Sequence, residues 1–264
     1  MTPAELLREG RLSQARESLV ERIKAAPADT KARTLFFQVL AYCGEWDKAE
    51  KHLEILITQS PETATGVLVY RNLVAAERAR VEVAAGRQTP DFMTDVPPYL
   101  AGMLEARKAL ADGEHARFAK MMAKVEKQIP GVSGMFDGVP FTGLFECDTT
   151  LSGMLEVFVH DRYLWFPIAS LRELSIQKPN TLLETLWAPS RIVTWDGLTT
   201  DCFLPVLYPG SAAHDNDQIR MGRMTDWIEL AKGCYRGVGQ HLFQLGKEDK
   251  GLLELQDVTF NLPK

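Results

Sequence analysis

A repeat with a period of 34 residues runs through the first half of the chain and constrains its fold more than any other feature. Gly10 aligns with Gly44, Leu12 with Trp46, Ala15 with Ala49, Leu19 with Leu53 and Pro27 with Pro61. A third copy starts at Gly113, with Met122 and Pro130 in the places of Leu53 and Pro61. Each position has a mechanical reason. The glycines fall where one helix must end and the chain reverse, a site that favours left-handed backbone. Ala15 and Ala49 are small, as two closely approaching antiparallel helices require. Leu19, Leu53 and Met122 share one helical face. The prolines stop the second helix, since proline lacks the amide donor and clashes with the preceding turn.

This pattern resembles the tetratricopeptide repeat, a pair of antiparallel helices with a period of about 34 residues. The first helix of copy one is short, and copy three places Phe118 where a small alanine is expected. Between copies two and three, residues 66–85 read as a helix whose apolar stripe is Val67, Leu68, Tyr70, Leu73, Val74 and Val81. Gly86, Pro90, Pro97 and Pro98 then break the helical period, which resumes over 99–129. Residues 1–130 are thus expected to form a helical array of six or seven helices. Such arrays present a concave surface suited to a peptide or helix. The plainer alternative is a helical bundle with no binding surface.

The texture changes after Pro130, and residues 131–264 are expected to form a separate β-rich α+β domain. Residues 1–131 hold 19 basic and 18 acidic side chains, whereas 132–264 hold 11 and 17. Gly131, Gly134, Gly138, Pro140 and Gly143 punctuate a linker. Alternation over 155–159, a turn at His160-Asp161-Arg162 and a second apolar run over 163–166 predict a hairpin. Residues 191–195 lead through Asp196-Gly197, a strong hairpin turn, toward 203–208. Segments 240–245 and 252–260 flank a polar turn and predict a third hairpin. Short helices are expected at 168–174 and at 181–187, the latter stopped before Pro189. The expected fold class is therefore α+β: a tetratricopeptide-like superhelix followed by a β-rich domain.

Charge and cysteine content narrow the function. The net charge of −5 argues against a general nucleic-acid binder, which needs a basic surface to displace counterions. Cys43, Cys147, Cys202 and Cys234 are far apart, without a C-x-x-C pair, so a reducing compartment is expected rather than a disulfide framework or zinc ribbon. The charged N-terminus and the lack of an apolar run of roughly 18–20 residues point away from export and membrane insertion and toward the cytoplasm.

Candidate chemical groups are few. His160-Asp161 could pair as base and orienter, but neighbours in a hairpin point to opposite sides, which favours a polar turn. Cys147 beside Asp148 reads as a structural thiol rather than a nucleophile. His214-Asp215-Asn216-Asp217 lacks the loop and distal glutamate of a calcium site and reads as a solvated loop. The glycines of 233–240 do not form a phosphate-binding fingerprint and are expected to allow a tight backbone path. Segment 220–227, with Arg220, Arg223, Thr225, Asp226 and Trp227, suits a buried arginine–aspartate pair roofed by tryptophan, serving either the fold or a partner's charged side chain.

Taken in order, Leu186-Trp187-Ala188-Pro189, Asp196-Gly197, the run from Phe203 to Ser211, Gly222-Arg223-Met224-Thr225-Asp226-Trp227, Gly237-Val238-Gly239-Gln240 and Leu252-Leu253-Glu254-Leu255 resemble the type VI secretion accessory family called ImpE, TagJ or SciE. The resemblance covers nearly the whole chain. One departure is His241, where the family tends toward arginine. The resemblance implies a cytoplasmic, non-enzymatic accessory beside the contractile sheath, with no cofactor and no metal. Its implied partner is the small sheath subunit TssB, held by its N-terminal helix, with a link to sheath assembly or to recycling by the ClpV unfoldase. Superposing the tetratricopeptide pattern on the second repeat points Lys31, Thr34 and Gln38 toward the groove, while Arg223, Asp226 and Trp227 offer a second contact in the acidic half. Two alternatives stand beside this reading. One is a hydrolase-like enzyme using residues 140–264, and the other a general tetratricopeptide scaffold that recognises a C-terminal carboxylate.

Overall fold

The glycines of the repeat sit where the spacing places them, in a computed structural model that describes residues 1–59 and 64–263. Helices α1 (Pro3–Arg8), α2 (Leu12–Ala25), α3 (Thr30–Tyr42), α4 (Trp46–Gln59), α5 (Ala64–Ala84), α6 (Leu100–Ala111) and α7 (His115–Val125) precede the first strand. Gly10, Gly44 and Gly113 all have φ between 65° and 79° and close α1, α3 and α6. In each turn the glycine N–H bonds back three residues and the next N–H bonds back five: Gly10 to Leu7 and Arg11 to Leu6, Gly44 to Ala41 and Glu45 to Leu40, Gly113 to Leu110 and Glu114 to Ala109. This αL termination satisfies carbonyls that the helix end would otherwise leave open. Ala15, Ala49 and Phe118 are fully buried at equivalent positions, so the third pair accommodates a phenylalanine where the others hold alanine. Pro27 follows α2, and Pro130 follows a short 3₁₀ turn after α7. Pro61 lies outside the described residues.

The second half is built on an antiparallel sheet of eight strands, ordered β2-β1-β13-β6-β7-β8-β4-β5. The strands are β1 (Ser133–Phe136), β2 (Val139–Thr142), β4 (Met154–Val159), β5 (Arg162–Pro167), β6 (Leu171–Ile176), β7 (Trp187–Thr194), β8 (Thr199–Pro205) and β13 (Asp257–Phe260). A three-stranded sheet joins β12 (Glu248–Gly251), β11 (Leu242–Leu245) and β3 (Leu144–Glu146), and β9 (Thr225–Ala231) pairs with β10 (Cys234–Gly239). The β4–β5 hairpin turns at His160-Asp161, with His160 at φ 55°, and β7–β8 turns around Asp196-Gly197. Both agree with the sequence reading.

Five expectations need correction, the first being the linker, since residues 133–142 form the β1–β2 hairpin at one edge of the large sheet. Residues 168–174 form one 3₁₀ turn, Ile168–Ser170, and then strand β6. The three-residue spacing of Ile168, Leu171 and Leu174 imitates a helix, but sheet pairing on both sides of β6 prevails. Residues 181–187 likewise hold only a 3₁₀ turn, Leu183–Thr185, and Pro189 lies inside β7, just before that strand's ladder with β6 begins. The third hairpin closes early: β11 pairs with β12 across Gly246-Lys247, and β13 leaves to lie between β1 and β6. In α5, Val67, Leu73 and Val74 are buried, but Leu68 and Val81 are exposed, and Glu77 and Arg80 take core positions instead.

One apolar core runs through both halves, from Leu6 to Phe260. α5 packs along β5, which ends the large sheet, and Asp91 of the α5–α6 connection adds a parallel bridge to Leu164. That strand therefore offers no free edge to another chain. Among the described residues no helix is long and apolar enough to cross a membrane.

Packing leaves no room for a side chain at Gly237 of β10, where an added Cβ would lie 2.1 Å from Cε2 of Tyr208. The tyrosine ring cannot yield, because its hydroxyl donates to Glu146 at 2.5 Å and its face lies 4.0 Å from His241. Gly237→Ala should therefore cost about 2–3 kcal/mol and lower Tm by roughly 5–10 °C. Gly131→Ala, where the new methyl meets nothing within 4 Å, should stay within about 0.5 kcal/mol. Thermal unfolding of the two variants makes the comparison, and equal Tm values would refute this packing argument.

Candidate functional site

Helix α5 carries the junction between the halves. Ala76, Glu77, Arg80 and Val83 recur at helical spacing on one buried face. From that face Arg80 makes a bidentate pair with Glu156 of β4, Nε to Oε1 at 2.9 Å and Nη2 to Oε2 at 2.6 Å. Nη2 also donates to the Leu207 carbonyl at 2.6 Å. One turn back, Glu77 accepts from Trp187 Nε1 at 3.0 Å. On the sheet side, Tyr163 donates to Glu156 and accepts from Trp165 Nε1. His241 completes the cluster, with Nδ1 2.9 Å from Glu146 and Nε2 3.0 Å from Glu156.

Every member of this cluster is at least nine-tenths buried, so its charges must balance internally. Burial disfavours the imidazolium of His241, but Glu146 and Glu156 outweigh it and raise its pKa to about 9. Both ring nitrogens then donate, and Arg80 Nη2, 3.2 Å from Nε2, is a close neighbour rather than a donor to it. Burial also opposes ionisation of Glu156, yet Arg80 and His241 hold it well below the usual carboxylate range. Two cations thus face Glu146 and Glu156, while burial pushes the Glu77 carboxyl up. The polar atoms are committed to one another. The nearby thiols are poor nucleophiles: burial, then Glu146, pushes Cys147 up to about 12, and burial pushes Cys202 to the same range.

The residues expected to meet a partner fall in two places. Lys31 and Thr34 are exposed and Gln38 is half-buried, a stripe along the outer part of α3. The same stripe continues to Tyr42, which is fully buried and bonds the Leu182 carbonyl at 2.9 Å and Thr185 Oγ1 at 2.6 Å. The inner end of the trough is therefore filled by the chain's own second half. Beside the stripe, Phe37 packs on Tyr70, 5.5 Å between ring centroids. Tyr70 lines an apolar cleft of about 240 Å³ with Val69, Leu73, Leu183, Trp187 and Phe203. A neighbouring cleft of about 380 Å³ shares Val69, Leu73, Pro189 and Phe203 with it. The only sequence hint of this cleft was the Leu186-Trp187-Ala188-Pro189 motif.

Arg223, Asp226 and Trp227 do not converge. Arg223 donates to the carbonyls of Leu7 at 2.7 Å and Arg8 at 3.0 Å, the C-terminal end of α1. Asp226 is exposed and accepts from the Trp227 amide, and Trp227 packs against Tyr208. The arginine–aspartate pair of this region is instead Arg220 with Asp217, 3.0 Å apart in the short helix α8 (Asp217–Arg220). Its N-cap is Asn216, so segment 214–217 is a helix start rather than a plain solvated loop. Asp217 also accepts from the Ser13 amide and hydroxyl, both at 2.8 Å.

Residues 138–259 match the family described as ImpE protein. Over 260 residues the chain is 31% identical to the type VI secretion system accessory component TagJ of Pseudomonas aeruginosa, an alignment spanning 98% of this chain and 91% of that relative. The fold is similar to the X-ray crystal structure of protein VPA1032 from Vibrio parahaemolyticus, with a TM-score of 0.90, 25% identity, and coverage of 98% of this chain and 97% of that one. The likeness includes both halves and the way they are joined.

The buried cluster fixes how stability depends on pH. A histidine raised to about 9 in the fold contributes fully below its unfolded value of about 6.5, and the contribution fades as pH rises through about 9. Glu156, depressed in the fold, contributes above about pH 4.3 and loses that contribution as pH falls. Urea unfolding should show a loss on the order of 3 kcal/mol between pH 6.5 and 9 that is much reduced in His241→Gln. Arg80→Met, which strands Glu156, should cost about 3–5 kcal/mol at pH 7. An identical alkaline decline in His241→Gln would contradict the charged state assigned to His241.

Proposed function

The chain belongs to the family of ImpE proteins and TagJ-type accessory components of type VI secretion, and on that premise we propose that it is a non-catalytic cytoplasmic adaptor that binds the N-terminal helix of the small sheath subunit TssB. Through that contact it takes part in sheath assembly or in recycling by ClpV. The observation that carries this reading is the apolar cleft of Val69, Tyr70, Leu73, Leu183, Trp187 and Phe203 beside the open stripe of Lys31, Thr34 and Gln38. An amphipathic helix needs such a pairing, an apolar trough for its buried face and a polar rim for its edge. The N-terminal array (1–130) supplies the stripe and one wall, and the β-rich half (131–264) supplies the other wall. The mutual engagement of the polar atoms in the Arg80 cluster and the high thiol pKa values support an adaptor over a hydrolase.

A synthetic peptide of the TssB N-terminal helix should bind with Kd in the micromolar range, about −8 kcal/mol. Val69 is 39% exposed, so Val69→Glu should leave the fold intact. It should weaken the peptide by at least about tenfold, because an unpaired carboxylate would then face the apolar helix. Lys31→Glu should have a smaller effect at the rim. Calorimetry that gives no heat with folded protein would remove the proposal.

A further inference from the structure

A second opening between the halves, about 300 Å³, is built for a different ligand. Val81 and Ala84 of α5, Leu151 and Pro209 give it apolar walls, and the side chains of Arg107 and Arg236 reach it from α6 and β10. Neither arginine has a carboxylate partner among the described residues. Arg107 is held in place by neutral groups: Nη1 donates to the Thr150 carbonyl at 2.8 Å, Nη2 to the Val83 carbonyl at 3.0 Å, and the guanidinium lies 5.1 Å over the Trp165 ring. Its Nε and one hydrogen on each terminal nitrogen remain free of protein acceptors. Arg236, half-buried opposite Ile228, forms no side-chain hydrogen bond among the described residues.

Two carboxyl groups also line this opening, and both are already satisfied. Glu156 is engaged by Arg80, Tyr163 and His241. Asp148 accepts from the amide and hydroxyl of Thr150, each at 2.7 Å, and from the Gly237 amide at 3.1 Å. Burial raises the Asp148 carboxyl, against the hydrogen bonds from Thr150 and Gly237 that lower it. The Arg107 guanidinium is thus held in place and partly desolvated, and Arg236 stands without a hydrogen-bonded partner among the described residues, both beside a pocket that fits a short aliphatic chain.

We propose that this cleft binds a carboxylate carrying a short apolar chain, with Arg236 and the free edge of Arg107 on the carboxylate and Val81, Ala84 and Leu151 around the chain. Such a group could be the C-terminus of a polypeptide or a free aliphatic acid, since both present the same chemistry. The site is separate from the helix-docking cleft, and the test below uses no sheath peptide, so either proposal can fail alone.

The test is a titration of isotope-labelled full-length protein, followed by amide chemical shifts, with three probes: N-acetyl-leucine, N-acetyl-leucinamide and 4-methylpentanoate. At least one of the two acids should shift the amides of Ala84, Thr150 and Arg236 in a saturable way, and the uncharged amide should not. Tighter binding of N-acetyl-leucine assigns a peptide terminus as the ligand, and tighter binding of 4-methylpentanoate assigns a free acid. Arg236→Gln should weaken the acid by about tenfold or more. Ala84→Leu, which fills the cleft and leaves both arginines in place, should abolish binding and guards against a misfolded arginine variant. The proposal is overturned if neither acid shifts these amides at about 20 mM, if the amide binds as well as the acid, or if both variants bind like the parent.

Discussion

The bidentate contact between Arg80 and Glu156 is the constraint on which the rest of the arrangement depends. It joins the C-terminal part of a helix to the middle of a strand, 76 residues apart, with both side chains almost fully buried. Desolvating two ions costs several kcal/mol each, and a pair alone does not recover that cost reliably. Here the pair is extended by His241, Glu146, Tyr163 and the Leu207 carbonyl, so lone pairs and protons are matched on all sides. A network of this kind adds little net stability over an apolar core but tolerates few alternatives. Sliding α5 by one turn along the sheet would strand at least two buried charges. The cluster therefore sets the register of the helical array on the sheet, a specificity that apolar packing around Leu73, Val74 and Val83 could not supply alone.

That register shapes the surface. Because α5 is locked over β4 and β5, the 182–187 segment is carried into the end of the trough, where Tyr42 and Trp187 are buried. What stays open is a shorter site with walls from two sources: helices on one side and β7–β8 on the other. A free-standing tetratricopeptide array would present one long concave face. This molecule presents a mixed cleft whose geometry requires both halves together.

How much of this was readable in the sequence follows the range of the interactions. Gly10, Gly44 and Gly113 were legible because each turn is closed by bonds within five residues. The β4–β5 and β7–β8 hairpins were legible for the same reason, with turn and strands contiguous. Segment 168–174 misled because its apolar spacing suits a helix, and only pairing with β7 and the distant β13 makes it a strand. The destination of β13 could not be read locally at all, since its partners β1 and β6 are more than eighty residues away. His241 was visible only as a departure from a family tendency toward arginine. In the fold it carries a positive charge shared between Glu146 and Glu156. Arg80 and Glu77 gave no signal, because ionic residues on a helix normally mark its solvent face.

The segment around Arg223 shows how the β-rich half closes the start of the helical array. α1 has six residues, too few to persist without help. Its last carbonyls, at Leu7 and Arg8, accept from Arg223, and the carbonyls of Glu9 and Gly10 accept from Gln218. α2 lacks a side-chain cap of its own, and Asp217 supplies one from the other half by accepting from the Ser13 amide. One short stretch of the β-rich half thus closes one helix and opens the next. Solenoids need terminal caps with a polar outer face to stay soluble, and here the capping groups come from the β-rich half. The motif containing Arg223, Asp226 and Trp227 therefore has a structural task, since Arg223 closes α1 through the carbonyls of Leu7 and Arg8.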